Sequence, residues 1–240
     1  MLLGTATLFE RNLIKMKNQV FFISVIVIVL SLYACEEKEA PQPTITVKYL
    51  ALGDSYTIGQ GVEENERWPN QLSAQLESNG IDVQKTQIIA QTGWKTSDLL
   101  NGIADSTLND YDLISLLIGV NNQFWSQPFD IFQTEFDSLV NIAIEAVGKE
   151  RIFIVSIPDY GVTPFGSSNS ENIANDIDMY NGYISERCAE EGFPFINVTE
   201  ISRQLGDSDG ALAADNLHPS GYQYSLWVNE MLPSVLDLIR

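Results

Sequence analysis

Three observations predict an α/β fold with a mainly parallel central sheet. Short apolar runs alternate with longer stretches of helical spacing from about residue 45 to the end of the chain. No repeat or internal linker interrupts that alternation. Three of the apolar runs end in polar turns, at Ser55, Gly93 and Asn121. Alternating elements of this kind place helices on both faces of the sheet. In a parallel sheet such strand ends share one edge, and open α/β folds bind their ligands there.

The first run lies in residues 46–61, TVKYLALGDSYTIGQG, where Val47 to Leu52 is broken only by Lys48. A buried strand and a tight turn have this pattern. Ser55 in that turn is either a nucleophile or a plain turn residue, since Gly, Asp and Ser commonly punctuate loops. Trp68, Leu72 and Leu76 then recur at helical spacing, with Gly80 as the terminator. Residues 83–90 read as a strand, 91–94 as a loop and 96–107 as a helix with Leu99, Leu100 and Ile103 on its apolar side. The run 113–118, interrupted only by Ser115, reads as a strand covered on both faces and leads into Gly119, Val120, Asn121 and Asn122.

A long helix is expected at 129–147, with Phe132, Phe136, Leu139, Ile142, Ala143 and Ala146 inward and Gly148 ending it. A strand at 151–157 stops at Pro158, and a loop rich in Gly, Ser and Pro fills 159–170. A helix at 172–191 carries Ile173, Ile177, Tyr180, Ile184 and Cys188 on one side. A short strand at 195–198, a mostly looped 202–217 and a last helix at 221–238 complete the domain. Pro233 predicts a kink or break in that last helix.

Residues 1–34 are set apart as leader and signal segment. Lys15 and Lys17 precede an apolar run from Phe21 to Leu32, and Ala34-Cys35 follows. This is the order of a basic region, an apolar core and a small-residue processing site. The run is shorter than the roughly 20 apolar residues of a membrane span. A start at Met16 would suit it as well as one at Met1. Leu32-Tyr33-Ala34-Cys35 resembles a bacterial lipoprotein box, although Tyr33 is bulkier than that pattern usually has. The resemblance implies cleavage before Cys35 and lipid on its thiol, so an exported protein anchored to a bacterial membrane, periplasmic or at the cell surface. Residues 35–44 would then be a polar, Pro-containing tether, and 45–240 a single domain.

The chain of 240 residues has 13 basic and 32 acidic side chains. Residues before Cys35 hold three of the basic groups (Arg11, Lys15, Lys17) and one acidic group (Glu10), leaving 10 against 31, a net charge near −21. Such a surface repels nucleic acid and anionic headgroups, so a membrane link would run through lipid rather than a basic patch. With Cys35 lipidated, Cys188 has no partner and no disulfide framework exists. Cys188 is expected to be a buried apolar residue.

His218 is the only histidine, so a multi-histidine metal site is excluded and any imidazole base must be His218. Asp215 lies three residues before it, in Ala214-Asp215-Asn216-Leu217-His218-Pro219. In a turn, that spacing lets a carboxylate hold Nδ1 and leave Nε2 to accept a proton from a hydroxyl. Pro219 is expected to stiffen the turn and start the last helix. An ordinary hydrogen-bonding histidine at the mouth of that helix has the same local sequence. Asp54 is expected to stabilise the turn beside Ser55.

Gly53-Asp54-Ser55, Gly93, Gly119-Val120-Asn121-Asn122 and Asp215-Asn216-Leu217-His218-Pro219 occur in that order. Together they resemble the SGNH (GDSL) hydrolase superfamily, over essentially the whole of 45–240. The resemblance implies a three-layer, flavodoxin-like fold and a serine esterase. Ser55 matches the nucleophile, His218 the base and Asp215 its orienting acid. The N–H groups of Ser55 and Gly93 and the amide of Asn121 match the oxyanion hole. Asn122 stands where the family has aspartate, a position that is not the oxyanion donor. No G-x-S-x-G elbow is present. No cofactor or metal is needed.

The substrate expected is a small-molecule or glycan ester, including an acetylated carbohydrate, taken by a monomer. Longer acyl chains, as in a lysophospholipase or thioesterase, and a non-catalytic glycan-binding surface lipoprotein are the alternatives. Trp94, Asn122, Phe124 and Trp125 are the candidate pocket residues, with Tyr160, Pro164 and Phe165 as a further wall.

Overall fold

Five parallel strands in the order β2-β1-β3-β4-β5 form the sheet: β1 Thr46–Gly53, β2 Asp82–Ala90, β3 Leu113–Leu117, β4 Ile152–Val155 and β5 Phe195–Ile196. The three-layer, flavodoxin-like α/β fold is thus the one observed. The computed structural model describes residues 10–11, 13–19 and 45–240. Residues 10–11 and 13–19 are helical. The apolar run 21–32 expected to be the core of a signal segment, Cys35 and the expected tether lie outside the described residues. No described helix is long and apolar enough to cross a membrane.

Every residue of β3 is buried, as its continuous apolar run requires. The one polar member, Ser115, has its hydroxyl 2.7 Å from that of Tyr49 on the neighbouring strand, so neither oxygen is left unpaired in the core. Two helices cover one face: α2 (Trp68–Ser78) packs against α8 (Gly221–Ile239). On the other, α3 (Thr96–Ile103) packs beside α5 (Phe129–Val147), and α6 (Ser170–Glu191) meets α5 through a ring cluster in which Phe132 and Tyr180 are 4.4 Å apart. Short helices α1 (Ser55–Ile58), α4 (Val120–Phe124) and α7 (Thr199–Leu205) sit in the connections.

Besides β4 and β5, which end two residues early, and α4, which replaces an expected turn, three helices differ from expectation. α3 stops at Ile103, and a 3-10 turn at Leu108–Asp110 follows. α7 occupies residues expected to begin the late loop. α8 runs unbroken through Pro233, because that ring lies on the exposed side, where the missing N–H costs little burial. Cys188 is buried as expected, and burial pushes its thiol up to about 12.

β1 and β3 are neighbours, yet their connections leave towards opposite edges of the sheet. That reversal opens a crevice at their carboxyl ends. Gly53 ends β1 between Ala90 of β2 and Leu117 of β3, so the turns after all three strands meet there.

Candidate active site

Ser55 stands two residues beyond Gly53. A Cβ on Gly53 would come within 2.2 Å of Thr57 Oγ1 and 2.4 Å of Leu117 O, so a glycine is required for so tight a return. Asp54 caps α1: its Oδ1 accepts the N–H of Tyr56 at 3.0 Å, and its carbonyl accepts those of Thr57 and Ile58. This is the turn-stabilising role expected of Asp54. Its carboxyl is fully buried with Oδ2 unpartnered, and that burial pushes it up to about 7 against the pull of the Tyr56 N–H. Among the described residues, the N–H of Ser55 donates to no other group.

The histidine comes from the last loop. Asp215 Oδ1 accepts the N–H groups of Leu217 at 3.0 Å and His218 at 2.9 Å, and Asn216 turns the chain in the left-handed region that asparagine tolerates. The other oxygen, Oδ2, lies 2.7 Å from Nδ1 of His218. Partial burial works to raise the Asp215 carboxyl, but the hydrogen bonds from His218 and Leu217 outweigh it and hold it below the ordinary range. Pro219 pairs with Leu212 in an isolated bridge, and the His218 carbonyl accepts the N–H of Ala213 at 2.8 Å. The loop is thereby clasped on both sides of the ring. Ser220, not Pro219, caps α8.

Gly93 and Asn121 face this pair. Gly93 has φ +82°, and a Cβ there would meet nothing within 4 Å. Its glycine is therefore demanded by backbone conformation, not by crowding from the protein. Among the described residues its N–H, like that of Ser55, donates to no other group. Asn121 Nδ2 donates to the Trp94 carbonyl at 2.9 Å, which fixes the amide and leaves its second proton for another acceptor.

Ser55, Gly93, Asn121 and His218 line one cavity of about 250 Å³. Asp215 stands behind His218, bound to its ring. Phe124 and Trp125 line the same cavity, with Tyr160 and Phe165 from the loop after β4. Pro164 does not line it. Phe124, Trp125 and Phe165 are 42%, 66% and 55% exposed, so this aromatic side is an open rim.

Two candidate pocket residues do not line the cavity. Trp94 turns over α3 instead, so close that a Cβ on Gly102 would lie 2.5 Å from its ring. Asn122 is fully buried: it accepts the Thr96 N–H at 3.1 Å and donates to Thr96 Oγ1 at 2.6 Å and Gln127 Oε1 at 2.7 Å. Consecutive helical residues point about 100° apart, so Asn121 faces the cavity while Asn122 braces α4 against the start of α3.

Tyr56, Gln60, Thr92, Val120 and Leu217 also line the cavity and were not singled out from sequence. Tyr56 lies 5.6 Å from the His218 ring, centroid to centroid, and Thr92 Oγ1 donates to Gln60 Oε1 at 2.6 Å across one rim. Tyr56, Thr92, Val120 and Leu217 each carried one signal, a place directly beside Ser55, Gly93, Asn121 or His218, and Gln60 carried none. Among the described residues, no cluster of three or more His, Cys, Asp or Glu side chains is arranged to hold a metal.

No curated protein sequence matches the chain. Among solved structures, a lipase/acylhydrolase from Enterococcus faecalis is similar at 18% identity and TM-score 0.63, over 80% of this chain and 97% of that one. An acetyl xylan esterase, AlAXEase, gives 18% identity and TM-score 0.63 over 78% and 99%. A phospholipase A1 from Streptomyces albidoflavus NA297 gives 19% identity and TM-score 0.60 over 81% and 99%. At such identities these likenesses speak for the fold, and they do so equally for neighbours with very different named substrates. The sequence profile of the GDSL-like Lipase/Acylhydrolase family matches residues 51–226, from within β1 to within α8 and across every turn described above, and the chain belongs to that family of ester hydrolases.

Proposed function

We propose that the chain is a serine esterase in which Ser55 is the nucleophile, His218 its general base and Asp215 the group that orients the imidazole. The observation carrying this is the 2.7 Å contact of His218 Nδ1 with Asp215 at the cavity that also holds Ser55, Gly93 and Asn121. With Nδ1 donating to the carboxylate, Nε2 is the nitrogen left to take a proton. Ser55 attacks the ester carbonyl as Nε2 accepts its hydrogen. The N–H groups of Ser55 and Gly93 and the free proton of Asn121 Nδ2 hold the oxyanion. His218 then protonates the leaving alcohol, and water repeats the cycle to release the acid.

The substrate favoured is a short- to medium-chain ester, including acetyl esters of carbohydrates. A cavity of about 250 Å³ falls just below the roughly 300–1,000 Å³ of sites that enclose drug-sized ligands. The open aromatic rim supports a second reading, in which a longer acyl chain of a lysophospholipid or thioester leaves the cavity along Phe124 and Phe165. Hydrolysis of acetyl, butyryl, octanoyl and palmitoyl nitrophenyl esters by protein starting near Pro41 separates them. Turnover that peaks at acetyl or butyryl and disappears in Ser55→Ala supports the first, and a peak at palmitoyl the second. Retained glycan binding without turnover of any ester would mark a binding protein.

The reading extends to location: export, cleavage before Cys35 and a lipid anchor on that thiol. Its support is the sequence order of basic, apolar and small residues ending at Cys35. Metabolic labelling with an alkyne fatty acid, lost in Cys35→Ala, is the expected outcome.

A further inference from the structure

A second cavity, of about 390 Å³, lies on the far side of the aromatic wall. Phe124, Tyr160 and Phe165 line both cavities, and their rings are 5.9 to 6.3 Å apart, so the three form a partition. The two sides differ in chemistry. On the Ser55 side the partition joins Val120, Trp125 and Leu217. On the far side it meets Gln123, Ser126, Ser168, Asn169 and Asp176. Gln123 is fixed there by a relay: Tyr160 Oη donates to its Oε1 at 2.9 Å, and its Nε2 donates to Asp176 Oδ2 at 2.9 Å.

We propose that this cavity is a subsite for a sugar unit of a neutral oligosaccharide whose neighbouring unit carries the ester bond cleaved at Ser55. The inference rests on the esterase reading and narrows the alcohol to a neutral oligosaccharide held at a second cavity. A pyranose presents an apolar C–H face and a rim of hydroxyls. Exposed rings of Phe124 and Phe165 match the face, and hydroxyl, amide and carboxylate groups match the rim. Asp176 and the acidic excess of the chain disfavour uronic acids and phosphate headgroups. The shared partition makes the two cavities neighbours, so one chain of sugars can span them.

Binding is measured apart from turnover. Ser55→Ala protein is titrated by calorimetry with unesterified xylo-, manno- and cello-oligosaccharides, and separately with glucuronate oligomers and choline. The expected result is binding of at least one neutral oligosaccharide. That binding weakens roughly tenfold when Asn169→Ala and Asp176→Ala remove its polar partners, a loss of about 1.4 kcal/mol. It is abolished by Ser168→Trp, which fills the cavity from its exposed edge without removing a packed group. Circular dichroism and melting verify that each variant folds. No binding of any neutral oligosaccharide, binding indifferent to both sets of substitutions, or binding of choline or uronates alone would overturn the subsite. Absence of Ser55-dependent ester hydrolysis in the parent protein would instead overturn the esterase reading, whatever the titrations give.

Discussion

The two sides of the Ser55 cavity are built in different ways. On the Ser55–His218 side, each functional group is held by short backbone-anchored contacts: the Asp54 cap, the Asp215 turn and the clasp around Pro219. Ser55 and His218 are each only 5% exposed. On the opposite side, Phe124, Trp125 and Phe165 pack mainly against one another and remain open to water. A rigid side suits a chemistry that tolerates little misplacement, and an open apolar side suits choice among substrates. Substitutions should therefore separate rate from selectivity according to the side they fall on.

The largest effect is expected from His218→Gln, which should lower kcat by about 10⁴-fold or more with KM little changed, as loss of a triad base does in serine hydrolases. Steady-state kinetics on nitrophenyl acetate measures it. Next is Asp54→Asn, read in stability. With the carboxyl raised to about 7 in the folded protein from an ordinary 3.8, its contribution is fully present below about pH 4 and is lost as pH rises through 7. Denaturant melts should show the parent losing up to about 4 kcal/mol across that window relative to the variant, which has no such titration. A parent whose stability follows that of the variant from pH 4 to 8 would contradict the buried, raised carboxyl.

Asn121→Ala should reduce kcat by about 10²- to 10³-fold, the usual cost of one oxyanion donor. Its neighbour sharpens the contrast: Asn122→Ala should lower the melting temperature, because it strands Thr96 and Gln127. The smallest effect belongs to the rim. Phe165→Ala should raise KM for octanoyl esters about tenfold, the loss of roughly 1.5 kcal/mol of apolar contact, while kcat on acetyl esters stays within a factor of about two. A kcat collapse on acetyl esters would break the division between the two sides.

The same division governs what the sequence disclosed. The strand ends at Gly53, Ala90 and Leu117 could be read from short apolar runs, and a parallel sheet brings such ends together whatever their separation in the chain. The Asp215 and His218 turn was equally legible, because its contacts span three residues. The rim was only partly so. Phe124 and Trp125 face the cavity but Trp94 does not, and that depends on helix rotation and on the open place at Gly102. α7 escaped for a related reason. Its sequence TEISRQL has little apolar periodicity, and distant groups hold it: Ser156 Oγ accepts the Thr199 N–H, and Arg203 reaches Asp159 at 2.9 Å and Asp178 at 2.7 Å. The last helix is legible from its apolar spacing and only the kink at Pro233 is not found, because Trp227, Met231 and Val235, all fully buried, hold it through that residue.

The central claim is that Ser55 is a nucleophile activated in place. The most direct measurement is intact-protein and peptide mass spectrometry after incubation with a fluorophosphonate, which requires an activated serine hydroxyl. One phosphonyl adduct per chain, on Ser55, slowed strongly in His218→Gln and absent in Ser55→Ala, is the expected result. No adduct on the folded parent protein, or an adduct at another serine that persists in Ser55→Ala, would contradict it.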